Sequence, residues 1–306
     1  MKVLNNYEII LNICEDRTML QKIEFGRLEN EFYNIKAKNT DLAICIKNGN
    51  ILLKRTAENA VEYPSVADVK CWAVENRWNA WREDSFQYIF RMQGVNYFLW
   101  MGEAGEPADT SYKYEGIRSL SLYKTKTECF AAFTASHLYQ WYKNNRFCGA
   151  CQTPTVHDTR ERMLRCPECG NMIFPRISPA VIIGVIDGDR ILLSKYAGRA
   201  TTNYALIAGY TEIGETMEET VQREVMEEVG LKVKNIRYYK SQPWGRDGAV
   251  LMGFYCSLDG SDEIHLDENE LALAEWHNRS ELPIKDDGIS LTREMIRVFG
   301  EGWEPK

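Results

Sequence analysis

The chain contains 306 residues, of which 44% are hydrophobic and 11% aromatic, and this is enough apolar material for two or three folded units. Its 44 acidic residues outnumber 37 basic ones and leave a net charge of −7, which argues against a general binder of nucleic acids or anionic membranes because such proteins carry excess Lys and Arg. No stretch approaches the ~18 apolar residues of a membrane-spanning helix and no apolar leader opens the chain, so we expect a cytoplasmic protein without membrane association.

Residues 1–125 alternate short apolar segments with turns. Three segments have the pattern of half-buried strands: 42–46, 88–92 and 97–101. A helix is predicted between Ser65 and Trp81, where Trp72, Trp78 and Trp81 recur near helical spacing and indicate core packing rather than a ligand site. We therefore predict a mixed, mostly β N-terminal domain.

Residues 126–146 change to a helical pattern. Cys129, Phe133, Leu138 and Trp141 can share one apolar stripe, so a helix is predicted to link the first domain to the segment that follows. Cys129 is one of five isolated cysteines, whose apolar or mixed contexts indicate reduced thiols and not a disulfide framework.

The other four cysteines form two Cys-x-x-Cys pairs within residues 147–176. They are Cys148, Cys151, Cys166 and Cys169. This spacing is typical of a zinc ribbon, in which each tight turn directs two thiolates inward. Because thiolates fill all four ligand positions, no position is left for water, and we predict one structural Zn²⁺ per chain. His157 could compete as a ligand, and four unrelated core cysteines are the alternative.

Residues 177–306 are predicted to form a sheet flanked by helices. A hairpin turns at Asp187-Gly188-Asp189, and further strands and a last helix follow it. The expected elements are strands at 180–186, 190–195, 204–208, 233–239 and 250–257 and a helix at about 290–299.

A loop and a short, sharply bounded helix run from Gly209 to Leu231. Thr216 and Glu219 have the spacing of a capping box at the helix start, and Gly230 stands where a left-handed C-terminal cap belongs. The helix has an apolar stripe of Val221, Val225 and Val229 and an adjoining acidic arc of Glu224, Glu227 and Glu228.

The acidic arc needs a compensating charge, because like charges on one helix face repel one another. Mg²⁺ prefers oxygen ligands and commonly acts on phosphates, so the arc indicates a metal site that handles a diphosphate. Arg223 would orient one of the glutamates, and Glu215 would pair with Arg223 or accept hydrogen bonds from the free helix amides. A solvated acidic helix face is the structural alternative.

The spacing of these residues supports the catalytic interpretation. Gly209, Glu215, Arg223-Glu224, Glu227-Glu228 and Gly230-Leu231 fill every fixed position of a pattern that resembles the Nudix hydrolase signature. This resemblance implies an α/β (α+β) fold, the Nudix α/β/α sandwich with a mixed sheet, and hydrolysis of a nucleoside diphosphate derivative with Mg²⁺ or Mn²⁺. The catalytic and metal-binding residues that it implies are Glu215, Arg223, Glu224, Glu227, Glu228 and the carbonyl of Ala208.

The ribbon, the Nudix signature and Ser241-Gln242-Pro243-Trp244 follow one another in an order that resembles the NADH pyrophosphatase subfamily. The resemblance implies a homodimer that cleaves the dinucleotide NAD(H) to nicotinamide mononucleotide and AMP, with NAD-capped RNA 5′ ends as a further substrate. The alternative within the same chemistry is hydrolysis of ADP-ribose or another nucleoside diphosphate derivative. The alternative from another class is a zinc-ribbon adaptor that only binds nucleic acid, which the acidic net charge opposes.

The resemblance also implies substrate contacts outside the signature. Tyr210 would stack on a ring of the substrate, and Phe174 would be a second aromatic platform that could reach across a dimer interface. Further implied contacts are Glu161 in the ribbon, Gln242 beside the nucleotide pocket and Thr292 in the last helix. Glu270 would join the metal ligands, although Glu268 or Glu275 could take that place.

One loop departs from the subfamily pattern. After Trp244 the subfamily has a Pro-Phe-Pro run, whereas this chain continues Gly245-Arg246-Asp247-Gly248-Ala249-Val250. Glycines raise the entropy cost of ordering the loop and offer no ring to a ligand, so we expect weaker discrimination for the nicotinamide nucleotide. Arg246 could bind a substrate phosphate instead.

Overall fold

The computed structural model describes residues 28–56, 60–76, 78, 85–122, 126–198, 203–283 and 288–305. In this part of the chain there are two compact units, the first from residues 179–242 and 251–305 and the second from residues 28–178 and 243–250. The four-part division predicted from the sequence remains a prediction, because the second unit contains the predicted N-terminal domain, the linking helix and the ribbon together. None of the helices within the described ranges is long and apolar enough to cross a membrane.

Two sheets of four strands each begin the second unit. Their strands are β1 (Leu28–Glu29), β2 (Leu42–Ile44), β3 (Ile46–Lys47), β4 (Asn50–Arg55), β5 (Val61–Glu62), β6 (Phe86–Met92), β7 (Val95–Trp100) and β8 (Tyr112–Gly116). One sheet has the order β1-β6-β7-β2, with β2 parallel to β7. In the other, β4 pairs with β3, β5 and β8.

Helix α1 (Val66–Glu75) packs beside a tryptophan-rich core of this unit. It begins at the capping residue Ser65 as predicted, but it ends six residues before Trp81, the predicted end. Residues six apart on a helix point in different directions, whereas the rings of Trp72 and Trp78 pack 6.4 Å apart, so the chain must leave the helix between them. Both tryptophans are buried core residues, as predicted, and Trp81 lies outside the described residues.

Helix α2 (Lys126–Asn144) leads into the cysteine segment, as the sequence predicted. Its buried face includes the predicted stripe of Cys129, Phe133, Leu138 and Trp141. Three two-residue strands follow, and they form a small antiparallel sheet: β9 (Val156–His157), β10 (Leu164–Arg165) and β11 (Met172–Ile173).

A six-stranded sheet and two helices form the first unit. The strands are β12 (Ser178–Asp187), β13 (Arg190–Tyr196), β14 (Ile207–Tyr210), β15 (Val233–Trp244), β16 (Ala249–Leu258) and β17 (Leu271–Asn278), and the helices are α3 (Met217–Val229) and α4 (Leu291–Gly300). The sheet has the order β15-β16-β12-β13-β17, and β14 pairs antiparallel with β12. Residues 243–250 at the β15–β16 turn belong to the second unit.

Alternate residues of β12 face two separate cores. Val181 and Ile183 pack in one core with Val225 of α3, and Ile182 packs in the other with Met295 of α4. Successive side chains of a strand point to opposite faces, so one helix covers each face of the sheet. This arrangement confirms the predicted α/β sandwich.

In the first unit, one predicted strand is shifted and another strand was not predicted. The strand expected at 204–208 occurs at Ile207–Tyr210, because residues 207–210 pair with residues 180–183 of β12 whereas Ala205 makes only an isolated bridge to Ser194. Strand β17 was not predicted. Its sequence has few β-branched residues, and it is a strand because it pairs along its whole length with β13.

Candidate active site

Helix α3 and the loop before it have the ends that the sequence predicted. The Thr216 hydroxyl accepts a hydrogen bond from the Glu219 amide, and the Glu219 carboxylate accepts one from the Thr216 amide. Gly230 has a left-handed backbone (φ +68°), and its amide donates to the carbonyl of Met226. These caps fix both ends of the helix and so fix the direction of its acidic side chains.

Arg223 joins the loop to the acidic arc. Its Nε and Nη2 donate to the two oxygens of Glu215 at 2.6 and 3.0 Å, and its Nη1 donates to Glu224 at 2.8 Å and to Glu227 at 2.9 Å. Nη2 also donates to the carbonyl of Tyr210 at 2.9 Å. A guanidinium has five donors in a fixed plane, so this one side chain sets the positions of three carboxylates.

Glu215 is a fixed anion in this arrangement. The Arg223 guanidinium, the Glu212 amide and the Thr220 hydroxyl all donate to it, and together they lower its pKa to about 2. Thr220 was not predicted to take part, since a threonine in the first turn of a helix carries no signal of its own. Glu215 is already fully engaged by the protein, which favours a positioning role over a metal-binding one.

Glu224 and Glu228 lie inside the site with little exposure to solvent, 8% and 2% respectively. Burial raises the pKa of Glu224, and the Arg223 guanidinium opposes this change. Burial and the charges of Glu224 and Glu270 raise the pKa of Glu228 to about 8. Among the described residues, the Oε2 atom of Glu228 is buried and has no hydrogen-bond partner.

Glu270 is the last residue of the turn that leads into β17. Its charge raises the pKa of both Glu224 and Glu228. The two alternatives from the sequence differ from Glu270. Glu275 accepts hydrogen bonds from Tyr204 and His277, and the charge of Glu268 is not a main cause of the raised pKa of Glu224 or Glu228. Asp267 was not predicted to belong to this group. Its charge also raises the pKa of Glu228, and its amide donates a hydrogen bond to the Glu228 carbonyl at 3.0 Å.

The donor set of this cluster fits a hard divalent cation. A buried carboxylate with an unpaired oxygen beside two further carboxylates is costly unless a positive charge compensates it, and Mg²⁺ and Mn²⁺ prefer such oxygen ligands. The Ala208 amide hydrogen-bonds the Glu228 carboxylate, so the backbone at Ala208 adjoins the site. Its carbonyl as a ligand remains a prediction.

The four ribbon cysteines lie close enough together to hold a metal ion. In the part of the chain that the structure describes, they are the one set of three or more possible ligands whose atoms all lie within 4.8 Å of one another. The amides of Ala150 and Cys151 lower the pKa of Cys148 to about 6, whereas hydrogen bonds to the other three cysteines raise the pKa of Cys169. Four thiolates therefore need a cation to coexist, and a four-sulfur set fits Zn²⁺. His157 is not a member of this set and stacks on Tyr142 instead.

The predicted substrate residues lie in both units. Tyr210 is 51% exposed in the first unit, and Phe174 is 53% exposed in the second, so both rings are accessible. Glu161 and Arg246 are also exposed, and Thr292 is half-buried near the start of α4. Their contacts with a substrate remain predictions.

Gln242 is fully buried. Its Nε2 donates to the carbonyl of Ile289 at 2.6 Å, and its Oε1 accepts from the amide of Leu291 at 2.9 Å. The buried amide therefore holds the first turn of α4, a contact that the sequence did not predict because its partners lie 47 and 49 residues away. A contact between Gln242 and a substrate remains a prediction.

The glycine-rich loop after Trp244 is a closed turn. The Trp244 indole donates to the Asp247 carboxylate at 2.9 Å, and its ring packs against Phe133. A side chain at Gly245 would overlap the backbone of Phe133, and Gly248 has a positive φ of 69°. The loop sequence therefore fits its own turn, which gives a structural reason for its departure from the subfamily pattern.

Comparisons with known proteins agree with the family that the signature predicts. Residues 176–299 match the model of the NUDIX domain, and residues 143–174 match that of the NADH pyrophosphatase zinc ribbon domain. A protein of Chromobacterium violaceum called NAD-capped RNA hydrolase NudC is 37% identical over 205 residues, which are 67% of this chain and 77% of that protein. The chain belongs to the Nudix hydrolase family.

Further relatives of this Nudix hydrolase match over a shorter stretch. The protein called NAD-capped RNA hydrolase NudC from Photorhabdus laumondii is 36% identical over 159 residues, 52% of this chain, and the match spans 62% of that relative's length. A crystal structure of a Nudix hydrolase from Nitrosomonas europaea aligns with a TM-score of 0.44 and 22% identity, covering 51% of this chain and 91% of that one. The resemblance to the Nudix family and to the ribbon-containing subfamily is thus confirmed.

Proposed function

We propose that this Nudix hydrolase cleaves the central diphosphate of NAD(H) to nicotinamide mononucleotide and AMP with Mg²⁺ or Mn²⁺. The observation that carries the proposal is the state of the Glu228 carboxylate. It is buried, one of its oxygens is unpaired among the described residues, and the charges of Glu224 and Glu270 raise its pKa. Glu228 lies on a helix that has the complete Nudix signature. Such an arrangement is unfavourable without a cation and suits one that binds a diphosphate.

Each protein group has a separate part in this mechanism. Glu224, Glu228 and Glu270 would hold the cation, which supplies an activated water and neutralises charge on the diphosphate. Arg223 keeps the Glu224 carboxylate in place through a 2.8 Å hydrogen bond, while Glu215 holds Arg223. Glu227 is 60% exposed and bonded to Arg223, so it can turn toward the substrate and accept a proton at its carboxylate.

The names of the relatives support the substrate part of the proposal. Two of them are called NAD-capped RNA hydrolases, and the family model that matches the ribbon is the NADH pyrophosphatase zinc ribbon domain. NAD-capped RNA 5′ ends are therefore a proposed second substrate. Tyr210, which is about half exposed, would stack on a base of the substrate. Phe174 and Arg246 remain predicted substrate contacts.

We further propose one structural Zn²⁺ per chain, a homodimer and a cytoplasmic location. The compact four-thiol group supports the zinc, and the exposed ring of Phe174 is available for a site shared between two protomers. Metal analysis and light scattering on the purified protein test the first two. A zinc-free preparation whose ribbon remains folded would contradict the zinc proposal, and a protein that is monomeric at all concentrations would contradict the homodimer.

ADP-ribose is the second candidate substrate, and the glycine-rich turn at residues 245–248 favours it because that turn offers no ring to nicotinamide. Initial rates on NADH, NAD⁺, ADP-ribose and an NAD-capped RNA, each with Mg²⁺ or Mn²⁺, separate the candidates. We expect the highest kcat/KM for a substrate that contains nicotinamide, with nicotinamide mononucleotide and AMP as products. A preference for ADP-ribose would replace the substrate assignment, and no hydrolysis of any of the four by wild-type protein would overturn the proposal.

A further inference from the structure

Two neighbouring cavities lie within the second unit, and no residue of the acidic arc lines either of them. The larger has a volume of about 780 Å³ and is formed by the end of α2, the ribbon and the segment after β7. The smaller has a volume of about 620 Å³ and includes residues of β6. Met101, Thr155 and His157 line both, so the two cavities adjoin, and we call them the double cavity.

The lining of the double cavity is basic, although the chain as a whole has a net charge of −7. Lys36, Lys143 and Arg146 contribute positive charge, and Glu103 contributes negative charge. Among the described residues, no carboxylate forms an ion pair with Lys143 or Arg146, both of which are exposed. A basic cavity in an acidic protein attracts an anion.

A fourth cation, Arg162, interacts with two residues that line the double cavity. Arg162 is held by the carbonyl of Ile89 at 2.6 Å, and its charge interacts with the hydroxyls of Tyr88 and Tyr142, which line the cavity. Burial lowers its pKa. In the described structure its Nη1 atom is buried without a hydrogen-bond partner, so this charge is not compensated by a carboxylate.

The walls of the double cavity are also aromatic and have one unsatisfied polar group. Tyr139, Tyr142 and Phe147 line the larger cavity, and Phe147 is 58% exposed although it is a large apolar residue. Tyr88 in the smaller cavity is 1% exposed, and its hydroxyl has no partner among the described residues. An unpaired buried hydroxyl costs free energy unless a ligand satisfies it.

We propose that the double cavity is a nucleotide-binding site, with a base against the aromatic wall and a phosphate beside Lys143 and Arg146. Aromatic rings stack on any nucleobase, and Arg and Lys bind phosphate oxygens. The same chemistry is present in a free mononucleotide and in a nucleotide of an RNA chain. The site shares no residue with the proposed hydrolytic site, and the proposal does not depend on the proposed reaction.

Binding to the full-length, zinc-loaded protein in magnesium-free buffer tests this proposal. The probes are AMP, inorganic phosphate and an adenylate pentanucleotide RNA with a 5′ hydroxyl. Photolabelling with 2-azido-AMP, followed by peptide mapping, shows which segment the base contacts. The variants are Arg146→Glu and Phe147→Ala, and Lys113→Glu is the matched control because Lys113 is an exposed cation of the same unit outside the double cavity.

We expect the label on residues 139–157, an AMP dissociation constant raised about tenfold or more by Arg146→Glu, and no change with Lys113→Glu. Phe147→Ala should weaken AMP but not phosphate. Tighter binding of the pentanucleotide than of AMP identifies RNA as the source, and AMP binding without RNA binding identifies a free nucleotide. Labelling confined to residues 204–231, phosphate that competes as well as AMP, or variants that fold and bind AMP as wild type does would each overturn the proposal.

Discussion

The Glu224 carboxylate occupies the space beside Gly209 that a side chain would fill. A Cβ atom added at Gly209 would overlap the carboxyl group of Glu224, whose exposure is only 8%. Gly209 is the first residue of the Nudix signature and lies on β14, so a glycine at this position lets the Glu224 carboxylate, a proposed metal ligand, approach the strand.

Gly209→Ala should therefore impair catalysis more than folding. The added methyl group displaces the Glu224 carboxylate, and a displacement of about 1 Å in a catalytic group can lower the rate on the order of 10²-fold. The measurements are kcat on NADH and the unfolding temperature. Gly116→Ala is the control, because a Cβ there would make only an ordinary contact of 3.7 Å with Asn50. Equal activity of Gly209→Ala and wild type would contradict the assigned position of Glu224.

The parts of the site that depend on local interactions could be predicted from the sequence. The capping box of Thr216 and Glu219 and the pairing of Glu215 with Arg223 follow from spacings of three and eight residues. The burial of Gln242 could not be predicted, because its partners are 47 and 49 residues away. Such contacts depend on tertiary packing, which local sequence patterns do not predict.

The choice among the downstream glutamates shows the same limit. Composition made Glu268, Glu270 and Glu275 equivalent, and only the path of the turn before β17 brings the charge of Glu270 close to Glu224 and Glu228. Strand β17 itself was missed, since its pairing with β13 and not its residue types makes it a strand. The fold class was predictable because the apolar periodicity of β12 and α3 is local.

Glu270→Gln should lower kcat by roughly 10- to 100-fold, whereas Glu268→Gln should have little effect. Removing the Glu270 charge takes away one proposed metal ligand and also removes a charge that raises the pKa of Glu228. The apparent affinity for Mn²⁺, measured by calorimetry, should fall in the first variant and not in the second. If both variants lose activity equally, the assignment of Glu270 in preference to Glu268 as a metal ligand is wrong.

Arg223→Lys should lower kcat by about 10- to 100-fold with the fold retained. Lysine keeps the charge but cannot donate at once to Glu215, Glu224 and Glu227 as the planar guanidinium does. Arg190→Lys is the matched control, since Arg190 pairs with Asp187 and Asp262 on the surface of the same unit and surface pairs contribute little. Activity is measured on NADH across a range of Mg²⁺ concentrations. Full activity of Arg223→Lys would show that charge alone suffices.

Cys151→Ser should reduce bound zinc from one ion per chain to well below one and lower the unfolding temperature by roughly 5–10 °C. The Cys151 sulfur lies 3.4 Å from Cys166 and 3.5 Å from Cys169, so its loss opens the four-thiol group. Cys71→Ser is the control, because Cys71 is exposed and its thiol donates a hydrogen bond to Glu75. Zinc content is measured by emission spectroscopy. Retention of one zinc by Cys151→Ser would contradict the assignment of the ligands.

Glu228→Gln should inactivate the enzyme and also change how stability depends on pH. The folded protein raises the pKa of Glu228 from 4.5 to about 8, so between these pH values the folded chain retains a proton that the unfolded chain releases. The stability of the metal-free wild type therefore falls as pH rises through this window. Glutamine does not titrate, and the variant avoids this loss.

We accordingly expect the metal-free Glu228→Gln variant to match the wild type near pH 4.5 and to exceed it by roughly 1–3 kcal/mol near pH 8. Its kcat on NADH should be lower on the order of 10³-fold, since a metal ligand is lost. Denaturant unfolding at several pH values measures the first effect without any substrate. A wild type and a variant with parallel pH dependence would show that Glu228 titrates normally, and the raised pKa that indicates a cation site would then be wrong.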